Sequence, residues 1–167
     1  MIRRLWTLPL ILLSLCTARL HAQARLAIYG TFGGEKSGLP NEGWTTAETF
    51  GLYVGLVDLR PLAFSVDARA DLSSNINSVL VGPRLALHFP TFPLKPYAEV
   101  LIGGSTYART AAGLKDSGQF ASRVVFGADS ALLPHLDWRI LDFGTGINQS
   151  ANGTHQKTLS TGLVLRF

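Results

Sequence analysis

The strongest constraint on this chain is a period-two alternation in which one parity of residues is almost wholly apolar. In Leu62–Asp71, Leu62, Phe64, Val66, Ala68 and Ala70 share one parity, and Ala63, Ser65, Asp67, Arg69 and Asp71 the other. Successive side chains of a β-strand point to opposite faces, so this segment has one apolar and one charged face. Val79, Val81, Pro83, Leu85, Leu87 and Phe89 likewise oppose Leu80, Gly82, Arg84, Ala86 and His88. Pro83 is awkward there, because proline cannot donate to a strand ladder. Pro96, Ala98, Val100, Ile102 and Gly104 oppose Tyr97, Glu99, Leu101, Gly103 and Ser105. At the end of the chain Leu159, Thr161, Leu163, Leu165 and Phe167 oppose Thr158, Ser160, Gly162, Val164 and Arg166.

Four weaker segments complete a set of eight. Leu26, Ile28, Gly30 and Phe32 oppose Ala27, Tyr29 and Thr31; Phe50, Leu52, Val54 and Leu56 oppose Gly51, Tyr53 and Gly55. Phe120, Val124 and Phe126 oppose Arg123 and Asp129, with Ser122 on the apolar side. Trp138 and Ile140 oppose Asp137 and Arg139, which leaves Asp142 on the apolar parity unless a bulge shifts the register. The connections are Gly33–Thr45, Asp58–Pro61, Leu72–Ser78, Pro90–Leu94, Ala108–Gln119, Ser130–Leu136 and Thr145–Gln156. Long and short lengths alternate, as in an up-and-down barrel with tight turns at one end and freely extended loops at the other.

The first 24 residues have a different grammar. A basic head, Met1-Ile2-Arg3-Arg4, precedes the largely apolar Leu5–Cys16 and a tail ending Ala22-Gln23-Ala24. These are the three parts of a secretory signal peptide, and the apolar run is too short to span a bilayer. We therefore expect a signal peptide at 1–24 and one domain over 25–167. Leu13-Ser14-Leu15-Cys16 is positioned like a lipoprotein processing site, but Leu15 is not the small residue such sites require. Cleavage after Ala24 removes Arg3, Arg4 and Arg19 and no acid, lowering the formal net charge from +4 to +1. The precursor's basic character is thus no argument for nucleic acid binding. Charged residues are 16% of the chain, too few for a disordered chain or a coiled coil, and the single cysteine excludes a disulfide scaffold.

Alternation alone does not separate a soluble sandwich or lipocalin-like barrel from a membrane barrel, in which the faces are inverted. Four features favour the membrane. The apolar parity runs unbroken for several positions. The opposite parity mixes charge with Gly51, Gly55, Gly82, Ala86, Gly103 and Gly162, which suits a narrow lumen filled by a few long side chains. Aromatic residues gather near strand ends: Phe32, Trp44, Phe50, Tyr107 and Phe120 by the long loops, Phe89, Phe92, Trp138 and Phe167 by the short turns. Such girdles are expected at both membrane interfaces. Finally, the sequence stops at Phe167 itself.

Leu159-Ser160-Thr161-Gly162-Leu163-Val164-Leu165-Arg166-Phe167 resembles the last strand of bacterial outer-membrane proteins. Lys95–Gly104, and Phe126-Gly127-Ala128-Asp129 ahead of Leu136-Asp137-Trp138-Arg139, resemble strands of the small OmpA/OmpX-like barrels. The resemblance covers about residues 25–167 and includes no peptidoglycan-binding domain. It implies a porin-like transmembrane barrel in the bacterial cell outer membrane, with Leu163, Leu165 and Phe167 read by the barrel-assembly machinery during insertion. Eight strands of about 10 residues leave roughly 63 for seven connections, whereas twelve would leave almost none.

The expectation is an all-β, eight-stranded antiparallel up-and-down transmembrane barrel, a monomer in contact with outer-membrane lipid. Its inward parity collects Asp67, Arg69, Asp71, Arg84, His88, Glu99, Arg123, Asp129, Asp137 and Arg139, with Arg166, Tyr29, Tyr53 and Tyr97. Buried charges must pair, so these residues read as a lumen charge network that plugs the barrel. A narrow ion path or a small-ligand site is the alternative use of the same groups. Asn148–His155 includes Ser150 and His155, a potential nucleophile and base, but no acid lies near them in sequence. Gly33-Gly34 and Gly103-Gly104 open no helix, and no metal-ligand spacing is present. No catalytic residues, cofactor or metal are expected. The role expected is structural, or interaction through surface loops whose partner the sequence does not name. A lipocalin-like binding barrel and an outer-membrane lipid-modifying enzyme are the alternatives.

The terminal pattern yields a test. Phe167→Ala should reduce the amount of protein inserted in the outer membrane more than it lowers the unfolding midpoint of the molecules that do insert. Quantifying the membrane fraction and the midpoint side by side measures both.

Overall fold

In a computed structural model, residues 25–38, 43–89, 92–107, 118–148 and 154–167 are described. The expected signal peptide lies outside them. Eight strands follow in order: β1 Leu26–Lys36, β2 Thr45–Leu59, β3 Leu62–Ser73, β4 Ile76–Leu87, β5 Leu94–Tyr107, β6 Gln119–Leu133, β7 Leu136–Asn148 and β8 Thr154–Arg166. Each pairs antiparallel with its sequence neighbour, and β1 closes on β8 to form a barrel. Closure leaves no strand edge, so every backbone ladder has a partner. Phe167 continues the closing seam, its amide donating to the Leu26 carbonyl at 2.8 Å.

The strands are longer than the roughly 10 residues allotted from sequence, and the loops are shorter. β1 runs on through Gly33-Gly34-Glu35-Lys36, and β7 and β8 take both ends of the expected loop Thr145–Gln156. Only Ser74 and Asn75 separate β3 from β4, where a medium loop is expected. There the Ser73 hydroxyl accepts from the amides of Asn75 and Ile76 and donates to the Ile76 carbonyl. Ser130–Leu136 contracts to the turn Pro134-His135, because β6 continues to Leu133. Both chain ends of the described barrel share one mouth with the turns at Arg60-Pro61, 88–93 and Pro134-His135.

The faces are inverted relative to a soluble barrel. Val100 is 55% exposed and Ile102 51%, on the outer wall, while Arg69, Arg84, Glu99 and Arg123 are buried inside. Phe64, Val66, Leu85, Leu163 and Leu165 are also exposed. Both aromatic girdles are present, with Phe32, Trp44, Phe50 and Phe120 exposed toward the long-loop end, and Phe89, Phe92, Trp138 and Phe167 toward the other. Some apolar groups do face inward, among them Leu80, Leu101, Val125 and Val164.

Register shifts explain the irregular strands. β7 carries an extra residue against both neighbours, so Ile140 and Leu141 both face outward. Asp142 thereby returns to the interior at 3% exposure, as a bulge requires. In β2 a shift between Gly55 and Val57 leaves Leu56 and Val57 both exposed. Two glycines make room for interior rings. Gly51 pairs with Tyr29 and Gly127 with Tyr97 across their ladders, and a Cβ on either glycine would collide with the tyrosine ring. Each ring therefore covers its glycine and lies along the inner wall.

An outer wall in contact with hydrocarbon predicts that Val100→Arg, at the middle of β5, costs about 2–4 kcal/mol. Equilibrium unfolding in lipid vesicles measures the cost. Arginine at the loop-end residue Lys36 should change stability little in the same assay.

Candidate functional site

The interior parity of five strands, β3 to β7, places a closed cycle of alternating charge across the lumen. Arg84 on β4 contacts Asp129 on β6 at 2.8 Å. Asp129 also receives Arg139 of β7 at 3.0 Å, and Arg139 reaches Asp142 at 3.3 Å. Asp142 lies 3.3 Å from Arg69 on β3, and Arg69 pairs in turn with Glu99 on β5. Glu99 closes the cycle by facing the Arg84 Nε at 3.4 Å. Asp67 hangs from Arg69 at 3.3 Å. All of these side chains are buried.

Tyrosines complete the ring's environment. Tyr97 donates to Asp142 at 2.7 Å and Tyr29 to Asp67 at 2.9 Å. The Arg84 guanidinium lies 4.1 Å from the ring centroids of both Tyr53 and Tyr97. Arg139 lies 4.0 Å from Tyr29 and 4.8 Å from Tyr97. Each of these two arginines thus meets carboxylates at its edge and π-faces on its flanks, which suits a planar cation. The geometry depends on Gly51 and Gly127, since only a bare backbone lets Tyr29 and Tyr97 lie so close to the wall.

Two smaller clusters flank the ring. Toward the long-loop mouth, Arg123 donates to Asp71 at 2.5 Å and to Gln156 at 2.8 Å, while Asp71 also accepts from Thr49 and Ser78. Toward the short-turn mouth, Asp137 accepts from Lys95 and Arg166, each at 2.8 Å. Below the ring the wall is lined by Ala27, Gly55, Ala63, Ser65 and Ala86, leaving a cavity of about 660 Å³ that reaches His88, His135 and Arg166.

The ten lumen residues expected from sequence thus divide three ways. Asp67, Arg69, Arg84, Glu99, Asp129 and Arg139 meet in or on the ring; Asp71 and Arg123 form the upper cluster; Asp137 anchors the lower one. His88 is the exception. It lies beyond the end of β4 at the mouth, half-buried, and among the described residues no ion pair joins it to the network. Burial, with Lys95 nearby, pushes its imidazole below the ordinary value. Strand parity predicts only the face of a residue, not its depth along the axis, and His88 is at the right parity but beyond the filled zone.

Sequence reasoning missed several contributors. Asp142 needed the bulge. Lys95 precedes the segment where the alternation becomes regular. Glu35 and Gln156 are buried but fall in stretches read as loops. The parity of Ala27, Tyr29 and Thr31 extends to Glu35 and was the available signal. Leu163, Leu165 and Phe167 face outward at the closing seam. Of the Ser/His pair considered for catalysis, Ser150 lies outside the described residues and His155 is exposed.

A closed barrel that is apolar outside and charged inside fits a bilayer rather than water. Likeness to solved structures agrees on the architecture. Neisserial surface protein A matches at 15% identity and a TM-score of 0.57, covering 86% of this chain and 96% of that one. The outer membrane enzyme PagL matches at 14% identity and 0.55, covering 83% and 98%. A de novo designed transmembrane β-barrel matches at 16% identity and 0.53, covering 86% and 96%. No family model and no curated protein matches the chain. The fold is that of the small eight-stranded outer-membrane barrels, and with its inverted faces the protein is an integral outer-membrane β-barrel.

Removing Arg84 leaves Asp129 with Arg139 alone and Glu99 with Arg69 alone, and so one uncompensated negative charge in the buried ring. Arg84→Ala should cost about 3–5 kcal/mol, toward the lower figure where water reaches the lumen. Arg60→Ala, in an exposed turn, should cost well under 1 kcal/mol. Urea unfolding midpoints in detergent compare the two, and equal effects would mean that Arg84 is solvated.

Proposed function

We propose that the protein is a plugged barrel with a structural or surface-interaction role, not a pore and not an enzyme. The observation that carries this is the closed cycle Arg84–Asp129–Arg139–Asp142–Arg69–Glu99. It joins β3 to β7 across the lumen, and Tyr29, Tyr53 and Tyr97 fill the space around it. An ion crossing at this level must displace paired charges, which holds conductance low. The interior of an eight-stranded barrel is just wide enough for side chains to fill, so little room remains for a parallel water path.

Interaction falls to the long-loop end, where the connections 37–44, 108–118 and 149–153 emerge from the ends of β1, β5 and β7. Their partner is a surface molecule of unassigned chemistry. Membrane lipid covers the outer wall, the assembly machinery receives the terminal strand, and the folded protein acts as a monomer without cofactor or metal. Against catalysis stands the exposure of His155 on the outer wall, with no carboxylate joined to it among the described residues.

Planar-bilayer recording tests the plug. The unmodified protein should give no large, steady conductance at neutral pH. The double variant Arg84→Ala, Arg139→Ala, if it refolds, should show a measurable one, since it removes two of the ring's three cations. A large steady current through the wild type would promote the pore reading.

A further inference from the structure

We propose that Lys36, Lys157 and His155 form a site on the outer wall for the phosphate of an anionic lipid headgroup. The proposal rests on the membrane-barrel assignment and deepens it by naming a lipid chemistry.

Lys36, the last residue of β1, pairs directly with Lys157 of β8 across the closing seam. Both are exposed and on the outward parity, with Phe32 and Leu159 on the same wall. His155 is two residues further along β8, also exposed and outward. Like charges directly opposite on a ladder repel. Among the described residues neither lysine takes part in an ion pair, whereas the interior cations all do. Glu48 is the acid on the same wall of the neighbouring β2, but it pairs with Phe32, four residues below Lys36. That separation is roughly 13 Å along the strand. Nothing within the described barrel therefore offsets the repulsion, and an external anion would.

The depth of the patch selects the anion. Trp44 lies against Gly34, two residues below Lys36 on the same face, and is exposed. Together with Phe32 it marks the interfacial girdle, where amphipathic rings sit at headgroup level. The two ammonium groups lie immediately outside that girdle, at the long-loop end of the barrel. A lipid whose acyl chains run down the Phe32–Leu159 wall places its headgroup phosphate between them. Lysines at such a surface contribute about fivefold each to binding of an anionic lipid, and the pair roughly thirtyfold.

The test uses the whole barrel refolded in neutral detergent micelles. Calorimetric titration compares a phosphomonoester glycolipid, its dephosphorylated form, inorganic phosphate and a sulfated oligosaccharide. The phosphorylated lipid should bind saturably, and the other three should bind at least tenfold more weakly. K36Q/K157Q should weaken that binding about thirtyfold, while Lys157→Arg retains it and Arg60→Gln, in the exposed turn at the opposite mouth, leaves it unchanged. Equal binding of the two glycolipids overturns the proposal, as does wild-type affinity in the double variant. Tighter binding of the sulfated oligosaccharide to the lysine pair overturns it too, in favour of a soluble polyanion. If the double variant does not refold, the comparison of lipids on the wild type and Lys157→Gln decide alone. Heat-dependent gel migration of the wild type reports on the barrel separately: its absence would strike the membrane assignment, whatever the lysines bind.

Discussion

Hydrocarbon offers a backbone no hydrogen-bond partner, and the rest of this structure follows from that shortage. Each unpaired N–H or C=O in a bilayer core costs several kcal/mol, so strands can cross only as a closed barrel. Here closure is made by β1 on β8, and Phe167 extends the seam by one more backbone bond. Closure then fixes the sidedness. With lipid outside, the apolar parity faces out, and the residues that would be solvated in a soluble barrel are enclosed. The charged lumen is the consequence of the wall, and the pairing within it is a condition for the wall to stand.

The ring shows how that condition is met in little space. Three arginines and three carboxylates alternate, so each charge has two opposite neighbours and none is stranded. Planar guanidinium groups can accept carboxylates at their edges and aromatic rings on their faces at once, which lysines could not do in the same volume. Glycine matters as much as charge. Gly51 and Gly127 let Tyr29 and Tyr97 lie against the wall, and those rings hold Arg139 while their hydroxyls bind Asp67 and Asp142. A lattice of this kind takes the place of the apolar core of a soluble domain, though Leu80, Leu101 and Val125 still fill one side of it.

The two mouths differ in what they present. At the short-turn end Asp137 is held by Lys95 and Arg166 above a lining of small residues, and the chain reverses in tight turns. At the other end the strands outrun the apolar belt, and polar groups such as Glu35, Asn148 and Gln156 are buried inside them. Outward of those positions stand Lys36 and Lys157, beside the aromatic girdle. Lumen, girdle and headgroup zone thus succeed one another along the same strands, with the residue chemistry changing as the dielectric does.

The alternation by itself determined the strand number, the order of connections and which residues face inward, because a side chain's face follows from parity alone. It placed Arg69, Arg84, Glu99 and Arg123 correctly for that reason. Depth and partnership are different properties. Whether Asp142 faces the lumen turned on one extra residue in β7, and a bulge is set by pairing with both neighbours. Glu35 and Gln156 are interior because the ladder continues past the point where glycine and polar residues blur the pattern. That Arg69 meets Glu99 and Asp142, on strands far apart in sequence, is decided only when the sheet closes. Closure fixes the stagger of every strand along the axis, and that stagger brings particular charges to one level.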